Sequence, residues 1–228
     1  VKVFSADGAI ASDRKRRWRE VCAGGGARGG HNGRQDRWIV AEPPRASPDL
    51  AAMDIDRALR FSHYASRVVA ARPQLRDELA ATVGSPFPIA QALNALAPHV
   101  EALDAPRLAS ALRALRERVM LHTLVRDLEG AAGLDEVFHA MTSLADGALA
   151  AAQRLHHRDL ALAFGEPRSA EDGAAQQLNV LALGKLGGGE LNVSSDIDLV
   201  FVYPAEGETD GPRPIANREF FDRLGRRV

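Results

Sequence analysis

The sequence predicts an α+β protein that is mostly helical, with a helical region followed by the first part of a mixed sheet. Three observations predict it. Residues 107–129 and 134–164 repeat apolar side chains at spacings of three and four, the helical period. Two short apolar runs, 179–183 and 198–203, flank a loop rich in glycine, asparagine and serine, and runs of that length bounded by glycine and proline read as strands. Residues 1–52 lack strong periodicity altogether.

Taken in order, residues 1–52 hold ten Lys/Arg against six Asp/Glu, both tryptophans (Trp18, Trp38) and the only cysteine, Cys22. The stretches RKRRWR at 14–19, AGGGARGGHNG at 23–33 and EPPRASP at 42–48 have the composition of a disordered chain. A disordered basic extension, outside the organised protein, is expected here. A basic run with tryptophan also suits nucleic acid, but a solvated tail is the simpler reading.

From Met53 to residue 165 the pattern is helical. Asp54 or Asp56 can start a helix through Arg72, stopped by Pro73. Residues 74–83 form a second, ended by Gly84-Ser85-Pro86, and 89–96 a third, ended by Pro98. In 107–129, Leu108, Leu112, Leu115 and Val119 make one apolar side and Arg113, Arg116, Glu117 and Arg118 lie between, so an amphipathic helix is expected. In 134–164, Phe138, Met141, Ala145, Ala148, Ala152 and Leu155 form a core stripe. His156 and His157 are adjacent and so do not face one metal. Residues 166–177 read as a polar linker. After Pro204 a long loop leads to a helix from Ile215 or Asn217 that contains Phe220, Phe221 and Leu224.

Composition bounds the function. With 29 Lys/Arg and 30 Asp/Glu the net charge is −1, so the whole molecule is no general nucleic-acid binder. One cysteine excludes an internal disulfide and a cysteine-based zinc site. No apolar run reaches the ~18 residues of a membrane span, and none follows the basic residues as a signal peptide requires. A cytoplasmic protein is expected.

The chemistry concentrates in 178–203. If a strand begins at Asp196, Asp196 and Asp198 share one face. Two carboxylates there repel each other unless a divalent cation joins them, and Mg²⁺ prefers such oxygen ligands together with phosphates. Gly184, Gly187, Gly188 and Gly189 let backbone N–H groups approach an anion. Lys185 adds a charge, and Ser194 and Ser195 add hydroxyl donors. No Ser or Thr follows Lys185, which excludes a P-loop, and the glycine order is wrong for a dinucleotide fingerprint.

This strand–loop–strand pattern is similar to the nucleotidyltransferase superfamily of DNA polymerase beta type. More closely, GKLGGGELNVSSDIDLVFVYP at 184–204 resembles the bacterial bifunctional glutamine synthetase adenylyltransferase/adenylyl-removing enzyme family. That family carries two such domains: the amino-terminal one removes AMP from a glutamine synthetase tyrosine by phosphorolysis to ADP, and the carboxy-terminal one attaches AMP from ATP. Asn-Val-Ser-Ser at 192–195, GETDG at 207–211 and IANREFFDRLGRR at 215–227 look like the amino-terminal copy, as FSHYASRVVAARP at 61–73 looks like its opening. LRALRERVMLHTLVRDLEG at 112–130 resembles the family's Arg-rich helix before the sheet.

The resemblance implies a partial nucleotidyltransferase domain at 178–228, packed on a helical region at 53–165. It implies Asp196 and Asp198 as catalytic, Mg²⁺-holding residues and Gly184, Lys185, Gly187, Gly188, Ser194 and Ser195 as the phosphate and nucleotide cradle. Its implied partners are adenylylated glutamine synthetase, phosphate and ADP, and a PII signalling protein, with neither membrane nor nucleic acid. Two departures stand out. Gly189 occupies a position commonly basic in the family, and the fold's third metal carboxylate belongs to a later strand that this sequence does not contain. A PII uridylyltransferase, whose Gly-Arg-Gly-Glu…Ser-Asp-Ile-Asp-Leu pattern is similar, and a non-catalytic fragment that binds glutamine synthetase or PII are the alternatives.

Overall fold

The computed structural model describes residues 53–100 and 102–228, together with the backbone of Lys2–Phe4. The rest of the expected basic extension lies outside the described residues. Lys2–Phe4 is a short strand, β1. The helical region is α1 (Ile55–Phe61), α2 (His63–Ala71), α3 (Gln74–Thr82), α4 (Ile89–Val100), α5 (Ala105–Leu128) and α6 (Leu134–Phe164). The remainder is β2 (Asn179–Ala182), the single turn α7 (Gly184–Gly188), β3 (Leu199–Val202) and α8 (Asn217–Gly225). Helix dominates, as expected for a mostly helical α+β chain.

Local chemistry explains most boundaries, including three that differ from expectation. The expected first helix is two. Ser62 is extended (φ −127°, ψ 107°) and its Oγ accepts from the Ala65 N–H at 3.2 Å, capping α2 and so ending α1. The third helix runs past Pro98 to Val100. The proline removes one helical bond, and Val100, 1% exposed, compensates by packing with Leu108, Ala151 and Leu155. Asp104 starts α5, its Oδ1 accepting from the Arg107 N–H at 2.9 Å.

The third difference is in α5 itself, which is amphipathic only in its first half. From Val119 to Thr123, and again at Val125 and Arg126, every residue is buried. Arg126 is satisfied there by Glu136 (2.6 and 2.9 Å) and by the carbonyls of Val83 and Ala131. Arg113 and Arg116 stay on the exposed face, and Arg118 pairs with Glu78 at 3.0 Å.

Helix α6 is the central element. Its buried residues include Val137, Ala140, Met141, Leu144, Leu149, Ala151, Leu155 and Leu160, so it is covered on more sides than the single expected stripe; Phe138, Ala145, Ala148 and Ala152 are half-buried. Gly147 lets α4 close in, since a Cβ there would overlap Leu93. One core joins α6 to Val180 and Ala182 of β2, Leu186 of α7 and Phe220, Phe221 and Leu224 of α8. A second lies under α1–α3 against Leu121 and Val125.

The three strands are antiparallel in the order β1-β2-β3, with Lys2 opposite Ala182, Asn179 opposite Val202 and Ala182 opposite Leu199. The expected core face of the second strand, Ile197, Leu199 and Phe201, is only partly realised. Leu199 packs on the main core, but Ile197 precedes the strand and is 42% exposed. Phe201 lies over Gly225 at the rim of α8 and is 38% exposed. Beside it, Tyr203 stacks on Phe221 at 5.1 Å.

Residues 166–177, expected as a linker, form half of a backbone clasp with the loop after β3. Arg168 and Ala170 donate their N–H groups to Glu208 and Glu206, while Asp210 and Gly211 donate to Glu166 and Phe164, at 2.9–3.1 Å. Asn217, fully buried, donates from Nδ2 to the Arg168 and Ala205 carbonyls at 2.8 and 3.1 Å. Arg168 pairs with Asp210 at 2.7 Å and, with the Glu166 N–H, holds its carboxyl below the usual carboxylate range. These are main-chain contacts, which side-chain periodicity does not encode. Gly165 (φ +87°) and Gly207 (φ +154°) have left-handed or extended positive-φ backbone, and a Cβ on Gly165, Gly207 or Gly211 would come within 3.0 Å of backbone across the clasp.

Candidate functional site

The clasp closes on the Val202 end of β3, and the sequence-predicted site lies at the Leu199 end, about 10 Å along the strand by its rise per residue. Two buried leucines, Leu186 (0% exposed) and Leu191 (4%), anchor the glycine-rich segment to the core. Between and after them the polar residues are carried outward.

The segment is ordered rather than an open loop. The Gly187 N–H donates to the Leu183 carbonyl at 2.9 Å, giving the turn α7, and Gly189 ends it in the left-handed conformation (φ 80°, ψ 22°). Apolar Leu186 drives this, because a helical turn is what seats it in the core. The bond commits the Gly187 N–H, which leaves the first N–H groups of the turn without helical acceptors. Gly188 is exposed, and Lys185 is exposed with no ion-pair or hydrogen-bond partner among the described residues.

Leu183 donates its N–H to the Asp198 carbonyl at 2.9 Å, which carries the β2–β3 pairing one step further and brings Asp198 beside α7. A Cβ on Gly184 (φ +53°) would lie 3.5 Å from Asp198 Oδ2, so the glycine turn and this carboxylate are neighbours. Because β3 begins at Leu199, Asp196 lies in irregular backbone before it, and the strand alternation expected from Asp196 onward does not set its direction. Both carboxylates are exposed, and neither has a hydrogen bond or ion pair with the described residues.

Residues 192–195 form a turn organised by Asn192, which sequence reasoning did not single out. Its Oδ1 accepts from the Ser194 N–H (3.1 Å), Ser194 Oγ (3.1 Å) and Ser195 Oγ (2.8 Å). Ser195 Oγ also accepts from the Asn192 N–H at 3.3 Å. The signal was present: an Asn two and three residues before serines is the sequence of a side-chain-closed turn.

The sequence-predicted donors are thus two carboxylates and one lysine without partners among the described residues, and two serine hydroxyls bonded to Asn192, all oxygen or ammonium chemistry. Among the described residues no three His, Cys, Asp or Glu side chains converge as a metal cluster, and the Glu190 carboxylate lies beside Gly188 in addition to the predicted Asp196 and Asp198. His156 and His157 do not join it. His157 Nε2 is bonded to Glu166 at 2.8 Å beside the clasp. Among the described residues no helix is long and apolar enough to cross a membrane.

Comparison with known proteins bears directly on this geometry. The family model described as glutamate-ammonia ligase adenylyltransferase matches residues 53–228, the part of the chain with helices, site and clasp. A bifunctional glutamine synthetase adenylyltransferase/adenylyl-removing enzyme of Nitrosomonas europaea is 44% identical over 181 residues, 78% of this chain and 20% of that protein. The one of Chromobacterium violaceum is 46% identical over 182 residues (79% and 20%), and that of Bordetella pertussis 46% over 189 residues (80% and 19%). The chain thus spans about a fifth of the length of these relatives. On a match that takes in both the helical body and the complete strand–turn–strand unit, the chain belongs to the glutamate-ammonia ligase adenylyltransferase family.

Proposed function

We propose that this chain carries the phosphate-side part of a nucleotidyltransferase domain that regulates glutamine synthetase, and that the domain removes AMP from the adenylylated tyrosine. Inorganic phosphate would attack the phosphorus of the AMP–tyrosine ester. The new P–O bond gives ADP as the bond to the tyrosine oxygen breaks, and that oxygen takes up a proton. The observation that carries this reading is the packing of Gly184 against Asp198, with Asp196, Asp198 and Lys185 all free of partners among the described residues. Asn-Val-Ser-Ser at 192–195 supports the removing half over the attaching half.

The residues present suit Mg²⁺ in donor chemistry. Asp196 and Asp198 are hard oxygen ligands of the kind that ion takes one or two of, beside phosphate oxygens, and Mg²⁺ bound there would neutralise charge on the transferring phosphoryl group. The chain's own residues do the rest. Lys185 offers a positive charge to a phosphate oxygen. Gly184, Gly187 and Gly188 keep side chains out of the approach, and Leu186 and Leu191 fix the segment so that no ordering cost falls on the reaction.

The test is phosphate-dependent release of ADP from adenylylated glutamine synthetase, by this chain and by a form continued to the length of the relatives. Release that requires phosphate and is lost in Asp196→Asn, with the fold intact by circular dichroism, supports the proposal. Incorporation of AMP from ATP without phosphorolysis overturns the assignment to the removing half. Tight binding of glutamine synthetase with no release favours a binding fragment, which the absence of a three-carboxylate cluster among the described residues makes a specific competitor. Adding a PII protein to the same assay tests whether it modulates release.

A further inference from the structure

The pairing of β2 with β3 fixes where the main-chain groups of β2 point. Leu183 donates its N–H to the carbonyl of Asp198, directly opposite it in the register, at 2.9 Å. Hydrogen-bonded and non-hydrogen-bonded pairs alternate along an antiparallel ladder, so Asn179 and Leu181 also turn their N–H and C=O groups toward β3. Val180 and Ala182 turn theirs to the outer edge. Both residues are 0% exposed, and main-chain groups buried there need partners. Phe4 lies opposite Val180 and Lys2 opposite Ala182, so the main chain of β1 supplies those partners. Yet β1 lies outside residues 53–228, the part that the family model matches. Among the described residues no other strand pairs with that edge. The described part of the family-matched body thus carries a strand site that it does not fill itself.

We infer that the outer edge of β2 is a docking site for an extended segment from outside the family-matched body, that Lys2–Phe4 is its occupant in this chain, and that the docked strand steadies the turn α7. Recognition is that of strand addition: an antiparallel segment offers N–H and C=O groups from every second residue to Val180 and Ala182. The link to α7 is short. Only Leu183 separates β2 from Gly184, and β1 also runs within 8 Å of α7 between Cα atoms. Fixing β2 on both edges therefore fixes the stem from which the turn springs. The inference is independent of what α7 binds. It also changes the place of the amino-terminal extension, expected from sequence to lie outside the organised protein: its first residues complete the sheet.

The test is residue-resolved amide hydrogen exchange on the 228-residue chain. By the same alternation Phe4 turns its N–H toward Val180 and Val3 turns its N–H outward, so proline distinguishes the two positions. Phe4→Pro removes a ladder donor; Val3→Pro removes none, which an edge strand tolerates. Phe4→Pro is expected to speed exchange at Val180 and Ala182 by about tenfold, the scale of one main-chain hydrogen bond. It should also speed exchange at Gly187, whose N–H closes α7 on the Leu183 carbonyl. Leu183, bonded to Asp198, and Leu144 in α6 should keep their protection. Val3→Pro, and Phe4→Ala, which loses the side chain but keeps the N–H, should leave Val180 and Ala182 near the wild-type rates. No acceleration by Phe4→Pro, or equal acceleration by either control, overturns the docking site. Acceleration at Val180 and Ala182 with Gly187 unchanged overturns the link to α7. Loss of protection at Leu144 as well makes the strand part of the global fold and overturns a local site.

Discussion

At one end of the β2–β3 pair the clasp holds Gly165, Gly207 and Gly211; at the other, the turn α7 holds Gly184, Gly187 and Gly188. The first group faces backbone, and an added Cβ would collide with main-chain atoms that cannot move aside. In the second, Gly184 and Gly188 face side chains: nothing nearer than Glu190 Cδ at 3.8 Å would meet a Cβ on Gly188, and Asp198 Oδ2 is 3.5 Å from one on Gly184. Equal glycine content thus has two physical causes. The clasp glycines make room for main chain packed against them, whereas Gly184 and Gly188 have only side chains near them.

Mutation can break or sharpen that contrast. The largest effect is expected for Gly207→Ala, which combines positive φ with overlap on the Arg168 carbonyl; it should cost at least about 3 kcal/mol in a urea titration. Asn217→Ala should cost about 2 kcal/mol, because it removes a fully buried donor from two partly buried carbonyls. Gly188→Ala should change stability by less than about 1 kcal/mol, with a gain as possible as a loss, yet lower phosphate-dependent ADP release. If it destabilises as much as Gly207→Ala, the contrast collapses. Asp196→Asn, on an exposed carboxylate with no partner among the described residues, should shift stability by no more than about 0.5 kcal/mol.

A pH titration of stability probes the helical body, away from both glycine groups. His122 is 3% exposed, sits edge-on to Phe87 at 5.4 Å, and burial pushes its pKa below the ordinary value of 6.5. The unfolded chain therefore binds a proton near pH 6.5 that the folded chain does not. Its contribution is fully present above that pH and is lost as pH falls from 6.5 toward the folded value. Thermal melts should decline across this window, and His122→Phe should flatten the decline.

How much of this was legible follows the range of the interactions. The long helices were readable because each turn repeats the same apolar choice, as Leu144, Leu155 and Leu160 do in α6. Ser62 was missed as a break because it lies between Phe61 and His63 with no proline or glycine to mark it; only its capping oxygen does. Pro98 was over-read, since burial of Val100 outweighed one missing bond. In the site, strand pairing made the neighbourhood of Gly184 and Asp198 predictable, whereas the closure of residues 192–195 depended on side-chain bonds to Asn192. The clasp was invisible because its partners are main-chain groups such as those of Arg168 and Glu208, far apart in sequence.

That separation has a consequence in time. Arg168 and Asp210 are 42 residues apart, and the whole site segment lies inside the loop their pairing closes. Bringing such ends together costs roughly 3 kcal/mol plus a constant in chain entropy, whereas α5 and α6 gain bonds between near neighbours from the start. The helices should form first, closure of the clasp should follow, and the residues of the candidate site should acquire their geometry last. Pulse-labelled amide exchange during refolding should then protect Met141 and Leu144 before Ala170 or Asp210. By this order, a fault in the clasp is felt at the site as a delay before it is felt as a distortion.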